Sequence, residues 1–210
     1  ENLQRVCPEA LIIMVSNPLD VTTYIAHKLS GLPRERVIGM AGVLDTARFC
    51  AFIAMEIGGC AADVKAMVLG GHGDSMVPLP RHATVGGVPV PELIPADRLA
   101  EIVDRTRNGG AEIVNHLKTG SAFYAPSAAV VQMVSSILRD EQRLLPASVL
   151  LDGEYGMSGV FVGVPCVLGR RGLERVVELQ LQADEMAALQ QSAEHVKATV
   201  ADWERLSAGA

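Results

Sequence analysis

Asp45 and Arg48 stand three residues apart inside an apolar stretch, and His72 follows in Gly70-Gly71-His72-Gly73-Asp74. On a helix, positions three apart share a face, so this carboxylate and this guanidinium can be aimed at one cavity. The histidine closes the apolar run 64–69 and is bracketed by Gly71 and Gly73. Glycine there lets the backbone turn sharply and lets another molecule come close. Such a trio can take up a proton, hold the resulting charge and grip an anionic substrate. An ionised Asp45 bonded to one ring nitrogen would fix the His72 tautomer and favour the protonated ring, whose ordinary pKa is about 6.5. That is the tuning a general acid/base needs near neutral pH. Arg48 suits a carboxylate, which a guanidinium holds through two parallel hydrogen bonds in a geometry lysine cannot copy.

Plainer readings stand beside these. Asp45 sits where a helix N-cap belongs, and a lone histidine is commonly structural. Neither explains Arg48, which a mostly apolar helix must bury with a partner or aim at something. His72, Asp74 and His82 could be metal ligands, but their spacing matches no standard site, and no metal is expected. The sequence holds no G-x-S-x-G, no P-loop and no G-x-G-x-x-G.

The elements that must position these groups can be read from the hydrophobic pattern. Residues 11–15 are a short apolar run ended by Ser16-Asn17-Pro18, as for a strand buried on both faces of a parallel sheet. Open α/β sheets place ligands past the carboxyl ends of such strands, which makes Asn17 a site candidate. The alternative is that Asn17-Pro18 is only a turn. Residues 20–30 carry helical spacing and stop at Gly31 with Pro33 beyond, and 37–40 read as another strand. The helix expected at 45–57 is so apolar that it needs cover on nearly every face, from its own core and from a second subunit. A strand over 64–69 then delivers His72. Beyond Asp74 the pattern predicts a strand at 76–79 and a hairpin of 83–85 with 88–90 through Gly86-Gly87. It predicts a helix at 95–117 kinked or broken at Gly109-Gly110, and a helix at 127–140. Strands follow at 147–151, 160–168 and 176–179, and a long helix closes the chain at 183–206. The organisation is the end of a parallel α/β unit over residues 1–41, then a mixed α+β domain over 42–210.

Composition narrows the function classes. Of 210 residues 49% are hydrophobic, enough for a sizeable core, and the formal charge of −6 without a basic stripe argues against a nucleic-acid surface. Apolar runs end well short of the roughly 20 residues a membrane span needs, so a soluble, cytoplasmic protein without membrane partners is expected. Cys7, Cys50, Cys60 and Cys166 form no C-x-x-C, and three lie in apolar runs, consistent with a reducing compartment and no structural zinc. The opening residues, from Glu1, read as the middle or end of a helix, so the true N-terminus is expected to lie upstream.

Val15-Ser16-Asn17-Pro18, the block VIGMAGVLDTARF at 37–49 and Gly70 to Asp74 together resemble the lactate/malate dehydrogenase family, most closely its malate-acting branch of the lactate-dehydrogenase-like type. The likeness continues through LKTGSAFYAP at 117–126 and Gly163-Val164-Pro165, in order, over essentially the whole chain. The resemblance implies a Rossmann-type unit ending near Ala41, a C-terminal α+β catalytic domain, NAD as cofactor and a dicarboxylate substrate, malate or oxaloacetate. It implies that His72 accepts the C2 hydroxyl proton, with Asp45 as its carboxylate partner and Arg48 as the clamp on the substrate's C1 carboxylate. Asn17 would donate to the reacting oxygen, Val15, Ser16 and Asn17 would line the nicotinamide site, and Ser121 would face them from the opposite wall. A homodimer or homotetramer is implied as well. The family's glycine-rich nucleotide loop, its ribose-binding acid and its mobile substrate-selecting loop have no counterpart here, so this polypeptide alone is expected to be inactive. Two rivals remain: a lactate or other 2-hydroxy-acid dehydrogenase, and a non-catalytic assembly module that uses the apolar helix as an interface.

Overall fold

The computed structural model describes residues 2–119 and 121–208. A short helix α1 (Asn2–Val6) precedes β1 (Ile12–Met14), α2 (Leu19–Ser30) and β2 (Val37–Gly39), and β2 pairs in parallel with β1 from Ile12–Val37 to Met14–Gly39. Gly31 ends α2 as expected: at φ 63° it adopts the left-handed conformation open to glycine and closes its N–H on the His27 carbonyl. The expectation that β1 is buried on both faces does not hold. Among the described residues it is the edge strand, so one flank lacks a neighbour and its residues are half-buried.

Helix α3 (Gly42–Ile57) begins three residues before Asp45, with Ala41 as the flanking residue. Asp45 is therefore inside the helix and does not cap it. The early start follows from packing, because a Cβ on Gly42 would lie 2.6 Å from Pro146 Cβ, and only glycine lets the first turn approach so closely. The inner face of α3 is buried through Val43, Leu44, Phe49 and Ile53, while Met55 on the outer face stays 67% exposed.

The single strand expected over 64–69 is two short ones, β3 (Val64–Lys65) and β4 (Val68–Leu69). They part because they serve different partners. β4 pairs with β5 (Val77–Pro78), and β3 pairs with β6 (Thr84–Val85), which forms the expected hairpin with β7 (Val88–Pro89). Gly86 and Gly87 turn that hairpin at φ 56° and 90°, the signs a two-residue turn of this kind needs.

Helix α4 (Val90–Leu93) leads to α5 (Ala96–Leu117), which runs unbroken through Gly109-Gly110, contrary to the expected break. Helix α6 (Tyr124–Leu138) starts earlier than expected, because Pro126 falls in its first turn, where a missing N–H costs no helical bond. Gly120, inside the motif at 117–126, lies outside the described residues. The long antiparallel pair β8 (Arg143–Asp152) and β9 (Ser158–Gly169) is followed by β10 (Gly172–Val176) and α7 (Ala183–Ser207). The strand expected at 176–179 is thus displaced: Gly172, at φ 101°, returns the chain at once, and Glu174 and Arg175 hide the strand behind edge-strand charge.

The main sheet has the order β1-β2-β8-β9-β10, and Gly39 of β2 pairs with Ser148 of β8, so it runs across residue 41. One core lies on β8 and β9 beneath α6 and α7, with Met133, Val149, Val162, Val164 and Leu189 fully buried; another lies between α3 and α5 around Phe49, Ile53 and Ile102. Each such side chain contributes about 1.5–3 kcal/mol. Of the cysteines only Cys166 is buried, which pushes its thiol up to about 12; Cys7 and Cys60 are exposed rather than packed, and all four are free.

Candidate active site

His72 leaves the sheet where β4 meets β9. The Gly70 N–H donates to the Gly163 carbonyl at 2.8 Å and the Gly163 N–H returns to the Gly70 carbonyl at 3.0 Å. A Cβ on Gly163 would lie 2.5 Å from that Gly70 oxygen, so a side chain there would push the whole loop away. The next two N–H groups are also spoken for. Gly71 donates to the Ser192 hydroxyl of α7 at 2.7 Å, and His72 donates to Asp20 Oδ2 of α2 at 2.8 Å.

With its backbone held, the imidazole meets α3. His72 Nδ1 lies 2.8 Å from Asp45 Oδ2, and Arg48 Nη1 donates to Asp45 Oδ1 at 3.1 Å. The Asp45 side chain is 2% exposed, so both of its oxygens are paired where an unpaired charge could not persist. A carboxylate at Nδ1 fixes the hydrogen on that nitrogen and leaves Nε2 as the position that exchanges a proton. Burial pushes the His72 pKa down, but the hydrogen bond and charge of Asp45, with the charge of Asp20, outweigh it against Arg48, and the net shift is upward.

The expected break at Gly109-Gly110 has a different meaning. A Cβ on Gly109 would lie 2.3 Å from Arg48 Cδ, so this glycine is the clearance through which Arg48 crosses α5. Among the described residues the guanidinium has no acceptor besides Asp45. Gly109→Ala tests the fit. Helix propensity alone would stabilise by about 1 kcal/mol, whereas overpacking a tight contact costs about 1–3 kcal/mol. A lower midpoint of denaturant unfolding is expected, and a higher one would show that Arg48 gives way freely.

Val15, Ser16 and Asn17 lie exposed past the carboxyl end of β1, with the Ser16 carbonyl accepting from the Thr22 hydroxyl at 2.8 Å. An exposed apolar side chain thus sits beside accessible polar groups. Asp20, three residues beyond Asn17, connects this turn to the His72 loop. Ser121 is exposed in the irregular link between α5 and α6, and no hydrogen bond among the described residues brings it to His72. Among those residues no group of three His, Cys, Asp or Glu converges as a metal site, and no helix is long and apolar enough to cross a membrane.

Sequence reasoning missed Asp20, Ser148 and Ser192. Asp20 is 4% exposed; its Oδ1 accepts from the Ser148 hydroxyl at 2.6 Å. Burial pushes its carboxyl up, partly offset by the Ser148 and His72 hydrogen bonds, so its ionisation costs stability as pH rises through the folded value. Its local signal is that of an ordinary first-turn acid favoured by the helix dipole.

Family models cover the chain in two parts: the lactate/malate dehydrogenase NAD binding domain matches residues 1–39, and the lactate/malate dehydrogenase alpha/beta C-terminal domain matches residues 42–206. The malate dehydrogenase of Roseiflexus sp. (strain RS-1) is 61% identical over 194 residues, which are 92% of this chain and 63% of the relative. The solved malate dehydrogenase of Salinibacter ruber superposes with a TM-score of 0.94 at 53% identity, over 96% of this chain and 66% of that one. A lactate dehydrogenase of Cryptosporidium parvum, solved with lactic acid and nicotinamide adenine dinucleotide, gives 0.94 at 41% identity over 96% and 65%. The chain thus spans just under two thirds of the length of these relatives.

Proposed function

Because the chain belongs to the lactate/malate dehydrogenase family, we propose that the whole protein containing these residues is an NAD-dependent malate dehydrogenase. In this reading residues 1–41 end the dinucleotide-binding unit and 42–210 form the catalytic domain. The observation that carries it is one buried carboxylate, Asp45, holding His72 at 2.8 Å and Arg48 at 3.1 Å.

In malate oxidation the C2 hydroxyl gives its proton to His72 Nε2 as the C2–O bond becomes a carbonyl. Bound NAD+ supplies the acceptor for the hydride that leaves C2. The imidazolium so formed rests against Asp45, whose charge is already in place and needs no reorganisation. Arg48 holds the C1 carboxylate with the N–H groups that Asp45 leaves free, and Asn17 donates to the C2 oxygen. Val15, Ser16 and Asn17 suit the nicotinamide end of the cofactor, with Ser121 closing the opposite wall. Oxaloacetate reduction runs the same proton in reverse, from His72 to the nascent alkoxide.

A lactate or other 2-hydroxy-acid specificity is the second reading, favoured by the equal TM-score of the Cryptosporidium lactate dehydrogenase. Steady-state rates of the whole protein with oxaloacetate and with pyruvate separate the two. Oxaloacetate is expected to give the higher kcat/KM, and a preference for pyruvate overturns the malate reading. A homodimer or homotetramer in the cytoplasm fits the exposed Met55 of α3 and Val131 and Leu138 of α6, together with four free cysteines.

A further inference from the structure

Asp20 takes no part in the proton transfer, yet it stands where three segments of the site meet. It follows the Asn17 turn in the first turn of α2, its Oδ2 accepts the His72 N–H at 2.8 Å, and its Oδ1 accepts the Ser148 hydroxyl at 2.6 Å. Ser148 is itself fully buried and paired with Gly39 of β2, so the anchor behind Asp20 is the sheet. The loop presses close: a Cβ on Gly71 would lie 3.3 Å from Asp20 Oδ2.

No lysine or arginine pairs with this carboxylate among the described residues. Both of its hydrogen bonds could be made by asparagine, whose oxygen would accept from His72 and whose amide would donate to the Ser148 hydroxyl. An asparagine would also avoid the expense of a buried charge without a cation. Hydrogen bonding alone therefore does not account for an acid at this position. The charged groups facing His72 are Asp45 and Arg48 from α3 and Asp20 from α2; α7 and β9 present Ser192 and Gly163, and Asp74 on the same loop is exposed. Of these, Asp20 is the one anion that faces the loop with no cation beside it.

We propose that Asp20 is a positioning residue for His72: its carboxylate clamps the His72 backbone to the Asn17 turn and sheet, and its charge supports the imidazolium that forms on the other side of the residue. The clamp sets where the ring stands relative to the Asn17 turn, and the charge adds to that of Asp45. This rests on the dehydrogenase reading, and the two fail separately.

The test uses the whole protein, its Asp20→Asn and Asp20→Ala variants, oxaloacetate reduction over a pH series, and hydrogen exchange at the His72 amide. Asp20→Asn keeps the hydrogen bonds and removes the charge. It is expected to hold kcat at low pH within about threefold and its thermal midpoint at or above wild type, while the descending limb of reduction moves to lower pH by at least about half a unit. Asp20→Ala removes the clamp. It is expected to lower kcat about tenfold or more with KM changed less than about threefold, and to speed exchange at the His72 amide. An unshifted limb in Asp20→Asn overturns the role of the charge, and that variant decides even where Asp20→Ala does not fold. Unchanged amide exchange in a folded Asp20→Ala overturns the clamp whatever the turnover. Absence of oxaloacetate reduction by the wild-type protein instead overturns the malate reading.

Discussion

Replacing His72 with alanine in the whole protein is expected to lower kcat/KM for oxaloacetate at least about a hundredfold, or about 2.7 kcal/mol of transition-state stabilisation, with NADH affinity unchanged. In the proposed mechanism the C2 oxygen acquires a proton as its carbonyl is reduced, and without the imidazolium that proton must come from water, a far weaker acid. The fold should survive the change, because Asp45 keeps its Arg48 partner at 3.1 Å. The pH profile carries the sharper signature. In that mechanism reduction needs the protonated ring, so in the wild type it is expected to fall as pH rises through the His72 value, which Asp45 and Asp20 hold above the ordinary one; malate oxidation would need the neutral ring and is expected to rise over the same range. His72→Ala is expected to lose that limb in both directions. Stability follows the same sign: the raised value gives stability that is full below about pH 6.5 and lost as pH rises through the folded value, and the alanine variant lacks this slope. If this domain served only as a non-catalytic assembly module, His72→Ala would leave the turnover of the whole protein nearly intact, an outcome steady-state kinetics would show at once.

What the sequence disclosed depended on how far each signal reached along the chain. Gly31 stops α2, Gly86-Gly87 turns the β6–β7 hairpin, and Gln182 with Glu185 boxes the start of α7, all through contacts within a few residues. Those elements were legible because their causes are local. The His72, Asp45 and Arg48 array was legible for a related reason: two groups share one helix face, and the third is announced by its glycines. The split of residues 64–69 was not, because the Leu79 N–H takes the Met67 carbonyl and the Thr46 hydroxyl takes the Val68 N–H, both decided by tertiary pairing. Gly109 was misread as a helix breaker for the same cause, since its partner, Arg48, lies on another helix. Asp20 looked like a first-turn acid because Ser148, which anchors it, lies 128 positions away.

For Arg48→Lys the expected result is a fall in kcat/KM for oxaloacetate of about 10–150-fold, the factor that corresponds to about 1.5–3 kcal/mol for hydrogen bonds to a charged group. Most of it should appear in KM, because the proposed clamp on C1 would grip ground state and transition state alike. The reason lies in geometry. Arg48 spends Nη1 on Asp45 Oδ1, and a guanidinium has further N–H groups in a rigid plane with which to meet a second carboxylate at the same time. A lysine ammonium is a point charge on a flexible stem. It can stay with Asp45 or follow the substrate, and either choice leaves one carboxylate poorly held. Passage beside Gly109 holds Arg48 at its Cγ, Cδ and Nε, and a lysine loses the last of these contacts together with the planar head. If Arg48 served only as the i,i+3 ion-pair partner of Asp45, lysine would replace it with little loss. Steady-state kinetics with oxaloacetate, beside NADH titration, separates the two: a raised KM with NADH affinity within about twofold supports the clamp, and an unchanged KM removes Arg48 from substrate binding.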